Sequence, residues 1–180
     1  MPILHTQRLA LESMTPSDLE WYAQLAADAD VMRFIGAAGA LSREQAAARL
    51  ARYVHCWEEH MLGFFSVRLR GEEVPIGWAG LQPLNGTADI EVGYAFGKSA
   101  WGRGFATEVA SALVQWGFED RGLDRIVAVA SPENTGSRRV MEKLGMRYEG
   151  MRDVYGGGSV YYSVTPAAFA SAASLRAFAP

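Results

Sequence analysis

At 180 residues, 49% hydrophobic and 21% charged, the chain has enough apolar content for a sizeable core and the composition of an ordinary globular protein. A formal net charge of -3 with no charge block argues against a dedicated nucleic-acid binder, though not against a local basic pocket, and no stretch reaches the roughly 18 apolar residues of a membrane span. Cys56 is the only cysteine, which excludes an intrachain disulfide. A single domain over residues 1–180 in the cytoplasm is expected, because the first residues lack the apolar core of a signal peptide.

Residues 8–13 alternate weakly and predict a first strand. Thr15-Pro16-Ser17-Asp18 then marks a helix start, with Thr15 as N-cap and Pro16 at the first helical position; Leu19, Tyr22, Leu25 and Ala26 supply its apolar face. Ser42-Arg43-Glu44-Gln45 is a capping box, followed at helical spacing by Ala46, Leu50, Tyr53, Val54, Trp57 and Met61. Cys56 lies in this run and reads as packing. After Gly63 the period changes to two: Phe65, Val67 and Leu69 alternate with Ser66, Arg68 and Arg70. Gly71-Glu72-Glu73 predicts a turn into a return strand over residues 74–81, with Pro75 near its start. Asn85-Gly86 signals a hairpin into a strand over residues 88–96. On that strand Ile90, Val92, Tyr94 and Phe96 share one face, and Asp89, Glu91, Gly93 and Ala95 the other.

A helix to about residue 119 buries Phe105, Val109, Ala112, Leu113 and Trp116, and Gly122 is its stop signal. Residues 126–130 form a continuous apolar run, as in a strand covered on both faces. Ser131-Pro132-Glu133-Asn134 leads into a short helix with Val140, Met141 and Leu144, ended by Gly145. Strands over residues 147–152 and 160–164 flank Gly156-Gly157-Gly158, and Thr165-Pro166 opens a last helix with Phe169, Leu175 and Phe178 to bury. Three hairpin-linked strands followed by two joined through a helix predict an α/β chain with a mixed sheet and helices on both faces.

Residues 101–108, Trp-Gly-Arg-Gly-Phe-Ala-Thr-Glu, join a strand to a helix start. The first amides of a helix have no internal partner and its dipole is positive there, so an anion, foremost a phosphate, suits this joint. Phe105-Ala106 after Gly104 excludes a P-loop, which needs a lysine and a hydroxyl residue there; Thr107 excludes the dinucleotide fingerprint, which needs a third glycine. A tight turn with no ligand is the plain alternative.

The run over residues 91–108 resembles the acetyl-CoA-binding motif of the GNAT superfamily of N-acetyltransferases, Arg/Gln-x-x-Gly-x-Gly/Ala. Gly104 and Ala106 fill its last two positions, while Trp101 stands where Arg or Gln is usual. Thr6-Gln7-Arg8-Leu9, Asp30-Val31-Met32-Arg33-Phe34, and Asn134-x-x-Ser137 with Glu142-Lys143-Leu144-Gly145-Met146 are similar to stretches of the Rim-type ribosomal-protein N-terminal acetyltransferases. The resemblance implies a mixed, largely antiparallel sheet of seven strands flanked by helices, in which two central strands, here around residues 90–96 and 126–130, splay apart. It implies acetyl-CoA as cosubstrate, with pantetheine along the backbone of Tyr94, Ala95 and Phe96. The pyrophosphate would rest on the amides of Gly102, Arg103, Gly104, Phe105, Ala106 and Thr107, where Gly102 and Gly104 avoid Cβ clashes and Arg103 adds a charge-assisted contact. Asn134 would contact pantetheine and Ser137 would donate to the leaving thiolate. No metal is implied.

Such a transfer needs a neutral amine. Neutralising an α-amine at pH 7 costs roughly 1–1.4 kcal/mol, against about 4.6 for a lysine. Glu91, beside the residues implied to bind pantetheine, is the candidate base; an exposed glutamate with no role is the alternative. His55 and His60 border the acceptor side with less claim to catalysis. No tyrosine lies between Gly122 and Arg147, so none is assigned as general acid. The acceptor wall is expected from residues 32–41 and 152–160, and Glu12, Asp28, Asp30 and Asp153 are the acids available to attract an ammonium group. The expected partner is an amine-bearing small molecule or a protein N-terminus, not nucleic acid or membrane. A homodimer through the final strand or the tail helix is an option. The rival readings are an antibiotic or polyamine acetyltransferase and a non-catalytic CoA-binding sensor.

Overall fold

The alternating stretches of the chain pair into one sheet. In the computed structural model, which describes residues 3–36, 39–84 and 87–177, eight strands lie in the order β1-β2-β3-β4-β5-β6-β8-β7. They are β1 (Ile3–His5), β2 (Leu9–Ser13), β3 (Phe64–Leu69), β4 (Gly77–Pro83), β5 (Ile90–Phe96), β6 (Ile126–Ala130), β7 (Arg147–Val154) and β8 (Gly157–Val164). The expected seven strands become eight through β1, an edge strand of three residues, too short for a period of two to register. Every neighbouring pair is antiparallel except β5 and β6.

Several strand boundaries differ from expectation, and at β4 and β8 the backbone gives the reason. Pro75 lies outside β4, which starts at Gly77: proline cannot donate to a ladder, and the first inter-strand amide bond is Ile76 N to Val67 O, 2.8 Å. β5 starts at Ile90; the Asn85-Gly86 signal lies outside the described residues. Gly157 and Gly158 belong to β8 rather than to a loop, because Tyr155 (φ 58) and Gly156 (φ 79) alone make the turn, with both central φ values positive as in a type I′ hairpin.

Helices cover both faces of the sheet. On one face lie α1 (Leu19–Ala26), α2 (Ala29–Met32) and α3 (Arg43–His60). They bury Tyr22, Met32, Ala46 and Leu50 against Phe64, Trp78 and Ala95. The Ser42–Gln45 capping box forms, with Ser42 N donating to Gln45 Oε1 (2.8 Å) and Gln45 N to Ser42 Oγ (3.2 Å). On the other face, α4 (Phe105–Glu119) and α5 (Thr135–Lys143) pack Phe105, Val109, Leu113, Val140 and Met141 against Phe65, Val67, Val92, Ile126 and Ala128. The last helix, α6 (Pro166–Ala177), sets Phe169 against Phe118 with ring centroids 6.0 Å apart; Phe178 lies outside the described residues. Among the described residues no helix is long and apolar enough to cross a membrane.

One feature of the sheet positions the site. β5 and β6 are registered only at Glu91 and Val127. Beyond that pair the two strands part, and the β6-facing backbone edge of β5 from Val92 onward has no strand partner.

Candidate active site

The opening between β5 and β6 forms a cleft of about 1030 Å³. Residues from both faces of β5 line it, Glu91 and Gly93 from one and Val92 and Tyr94 from the other, with Ala128 to Ala130 of β6 opposite. The cleft therefore communicates between the α1–α3 side and the α4–α5 side, which a closed sheet keeps apart.

Glu91 sits at the neck, where the strands part, and is only 5% exposed. Its Oε1 accepts from Gln82 Nε2 and from Tyr155 Oη, while among the described residues no donor engages Oε2. Gln82 is the cross-strand partner of Glu91 in the β4–β5 pair, and Tyr155 comes from the β7–β8 turn. Burial pushes the Glu91 carboxyl above the usual carboxylate range, and the two hydrogen bonds offset only part of that rise. Burial, then the nearby Glu91 charge, raises the Tyr155 hydroxyl so far that it stays protonated; it donates to Glu91 and accepts from Gln82 Nε2 at 3.2 Å. This is a carboxylate fixed in orientation, with one oxygen free and a raised affinity for a proton. Sequence reasoning found Glu91 but neither partner. The Gln82–Glu91 pairing follows from the hairpin register once its strand ends are known; Tyr155 is 64 residues away, and its one local signal is a bulky residue beside glycines in a turn.

On the other face, the Tyr94 hydroxyl is buried without a hydrogen-bond partner among the described residues. Burial pushes its pKa up to about 12; Ser137 is close enough to temper that rise. The backbone of Tyr94 was the feature singled out from sequence, so its phenol is an additional polar group in the cleft. Asn134 is the N-cap of α5: its Oδ1 accepts from Ser137 N at 3.0 Å, leaving its amide nitrogen free. Asn134 and Ser137 both line the cleft with Tyr94. Ala95 and Phe96 point their side chains into opposite cores and, unlike Tyr94, are not part of the cleft lining.

The glycine joint lies past the end of β5. Gly102 (φ 72) and Gly104 (φ 80) both take left-handed backbone, and Gly104 is the N-cap of α4. The first helical bond is Glu108 N to Gly104 O, so the amides of Phe105, Ala106 and Thr107 have no carbonyl partner within the helix. Phe105 is buried, with the guanidinium of Arg8 4.6 Å and that of Arg103 4.8 Å from its ring centroid. Trp101 at the Arg/Gln position acquires a structural reason: its indole Nε1 donates to Phe96 O at 2.7 Å, closing the end of β5. The Thr6-x-Arg8 motif is explained too. Thr6 Oγ1 (2.6 Å) and Arg8 N (2.9 Å) donate to Glu108 Oε1, Arg8 Nε donates to Glu108 Oε2 (2.6 Å), and Arg8 Nη1 reaches Arg103 O (2.9 Å). These bonds tie the β1–β2 turn to the first turn of α4. Two left-handed glycines, unpaired helix amides and two adjacent guanidinium groups suit a phosphate-bearing ligand.

The acceptor side gathers Arg33 to Gly36, α3 residues including His55 and His60, and the Tyr155 turn. Residues 37–38 lie outside the described residues. His55 is exposed and held above its ordinary pKa, first by its hydrogen bond to Glu58 and then by the Glu59 charge. Cys56 also borders the cleft, and burial raises its thiol, keeping it protonated. The four acids proposed to attract an ammonium group are not in the cleft lining. Glu12 pairs with Arg68, and Asp28 and Asp30 pair with Lys98 at 3.1 and 2.8 Å. Among the described residues no cluster of His, Cys, Asp and Glu is arranged to hold a metal.

A protein-family model described as the acetyltransferase (GNAT) domain matches residues 8–147. The uncharacterized N-acetyltransferase YnaD of Bacillus subtilis (strain 168) is 33% identical over 145 residues, covering 81% of this chain and 82% of its own. Among solved structures, a GNAT-family acetyltransferase from Bacillus anthracis superposes with a TM-score of 0.78 at 29% identity, covering 91% of this chain and 98% of that one. RimJ of Mycobacterium smegmatis, in complex with CoA-disulfide, shares the fold with a TM-score of 0.78 at 19% identity, covering 97% of this chain and 94% of that one.

Proposed function

The chain belongs to the GNAT acetyltransferase family, whose cosubstrate is acetyl-CoA, and from that premise we propose that it transfers acetyl to a primary amine by direct attack on the thioester. The acceptor is a protein or peptide N-terminus, an amino acid or another small amine. The observation that carries the reading is Glu91: a buried carboxylate at the neck of the β5–β6 opening, oriented through one oxygen and open at the other.

Acetyl-CoA supplies an acyl group activated as a thioester. The amides at the start of α4, with Arg103, are the cradle for its pyrophosphate, and the free edge of β5 at Tyr94, Ala95 and Phe96, with Asn134, is the track for pantetheine. Glu91 receives the amine proton at Oε2. Its raised pKa suits it to that task, since a base works best when its own pKa approaches the operating pH. An unpaired backbone amide on the open edge of β5 is the donor available to a developing oxyanion. Tyr94, protonated at neutral pH, and Ser137 hold the protons on the α5 side of the cleft. Base and acid thus stand on opposite faces of β5.

The test is product identity. With acetyl-CoA, a primary amine should yield its N-acetyl derivative by mass spectrometry while the N,N-dimethyl analogue yields none. Equal CoA release with the tertiary amine, or release without acetylated product, contradicts amine acetylation.

A further inference from the structure

Charge along the cleft is unevenly matched. Arg49 and Arg52 of α3, three residues apart and so on one side of the helix, both line it. Neither has a carboxylate partner among the described residues. The other charged groups of the lining do have partners: Arg33 lies 3.9 Å from Glu133, and His55 and His60 lie 3.1 and 3.7 Å from Glu59. Glu91 is engaged by Tyr155 and Gln82 rather than by a cation. In a chain of net charge -3, two uncompensated guanidinium groups facing a cleft are a local reversal of sign.

Their position relative to Glu91 is informative. Tyr53, half-buried against Phe64 and Trp78 and itself part of the cleft lining, is within electrostatic reach of both Arg49 and Glu91. The cationic and the proton-accepting groups of the cleft therefore border the same space as this tyrosine. A guanidinium recognises a carboxylate through parallel donors, and does so best where water is partly excluded, as at half-buried Arg49.

We infer that the acceptor is a primary amine carrying its own carboxylate, bound with the amine at Glu91 and the carboxylate on Arg49 and Arg52. The inference rests on the amine-transfer reading above. The carboxylate has two chemical sources: the α-carboxylate of a free amino acid, or an acidic side chain next to a peptide N-terminus. A polyamine would bring further positive charge against the same guanidinium groups and is disfavoured.

The test uses the full chain with saturating acetyl-CoA, following thiol release on paired acceptors that differ only in the anion. The pairs are a free amino acid against its C-terminal amide, and a peptide with aspartate in second place against the asparagine version, with spermidine as the polycation. The carboxylate member of one pair should be preferred on the order of ten-fold or more in kcat/KM, and the pair with the larger ratio identifies the source. Arg49→Gln and Arg52→Gln should erase that ratio mainly through KM, while Arg49→Lys keeps part of it. Turnover indifferent to the carboxylate, best turnover on spermidine, or a ratio unchanged by either Gln variant overturns this inference alone. No acetylation of any acceptor, with acetyl-CoA still raising the melting temperature, overturns the amine-transfer reading and this inference with it.

Discussion

Tyr155 holds left-handed backbone, φ 58, which costs a residue with a Cβ roughly 1–2 kcal/mol. Its hydroxyl donates to Glu91, 64 residues away. Strain at a turn tip that aims one phenol at one carboxylate is explained by that bond. The bond favours the charged form of Glu91, so Tyr155→Phe should raise the Glu91 pKa further. If Glu91 is the base, the acidic limb of kcat/KM then moves to higher pH, whereas Tyr155→Gly moves it likewise while raising the melting temperature by relieving the turn. A limb that stays in place in both variants separates Tyr155 from the base. Glu91 itself was legible from its alternation on β5. Its surroundings were not, because Gln82 and Tyr155 reach it through strand register and a distant hairpin, and neither contact leaves a local pattern.

The joint between β5 and α4 is where sequence and structure agree most closely. Two glycines with positive φ and a helix start were readable from residue type, because few other residues accept that backbone. What holds the joint was not readable as chemistry. Thr6 and Arg8 matched a family pattern, but their partner Glu108 lies about a hundred residues on and is brought to them by the pairing of β1 and β2 beside α4. Burial alone would raise the Glu108 carboxyl, yet the Thr6 and Arg8 donors hold it below the ordinary range. That contribution is present above the unfolded pKa and is lost as pH falls through the lowered one. Gly104→Val is predicted to abolish stabilisation by acetyl-CoA. A Cβ there meets nothing closer than Arg8 at 3.5 Å, so the cost is backbone strain of roughly 1–2 kcal/mol, a loss of a few degrees in melting temperature, and the fold survives. Undiminished stabilisation by acetyl-CoA, measured by thermal melting, excludes this joint as the phosphate site. Other element ends were misjudged where the backbone decides: β1 is short, and Pro75 cannot join the ladder of β4.

At the scale of the molecule, the parting of β5 and β6 is the organising feature. Glu91 and Tyr94 stand on opposite faces of β5, and in a continuous sheet they could not serve one reaction. The sheet is registered between these strands only at Glu91 and Val127, so the cleft passes through it and both groups line the same space. The mixed sheet and its helical layers were legible from periodicity. The opening was implied only by family resemblance, since where two strands separate depends on how the whole sheet is built. Glu91→Gln tests the central claim most directly. Because burial raises the Glu91 pKa, its contribution to stability is present in acid and lost as pH rises through that pKa. The glutamine variant escapes that loss and should melt no lower than wild type at pH 8, so a fall in rate is not unfolding. The measurement is kcat/KM for a primary amine with acetyl-CoA across pH. The predicted result is a loss of roughly 10²–10⁴-fold above the Glu91 pKa, shrinking toward low pH where the wild-type carboxyl is already protonated, with the acidic limb set by Glu91 gone. A variant that keeps the wild-type rate and profile contradicts the account.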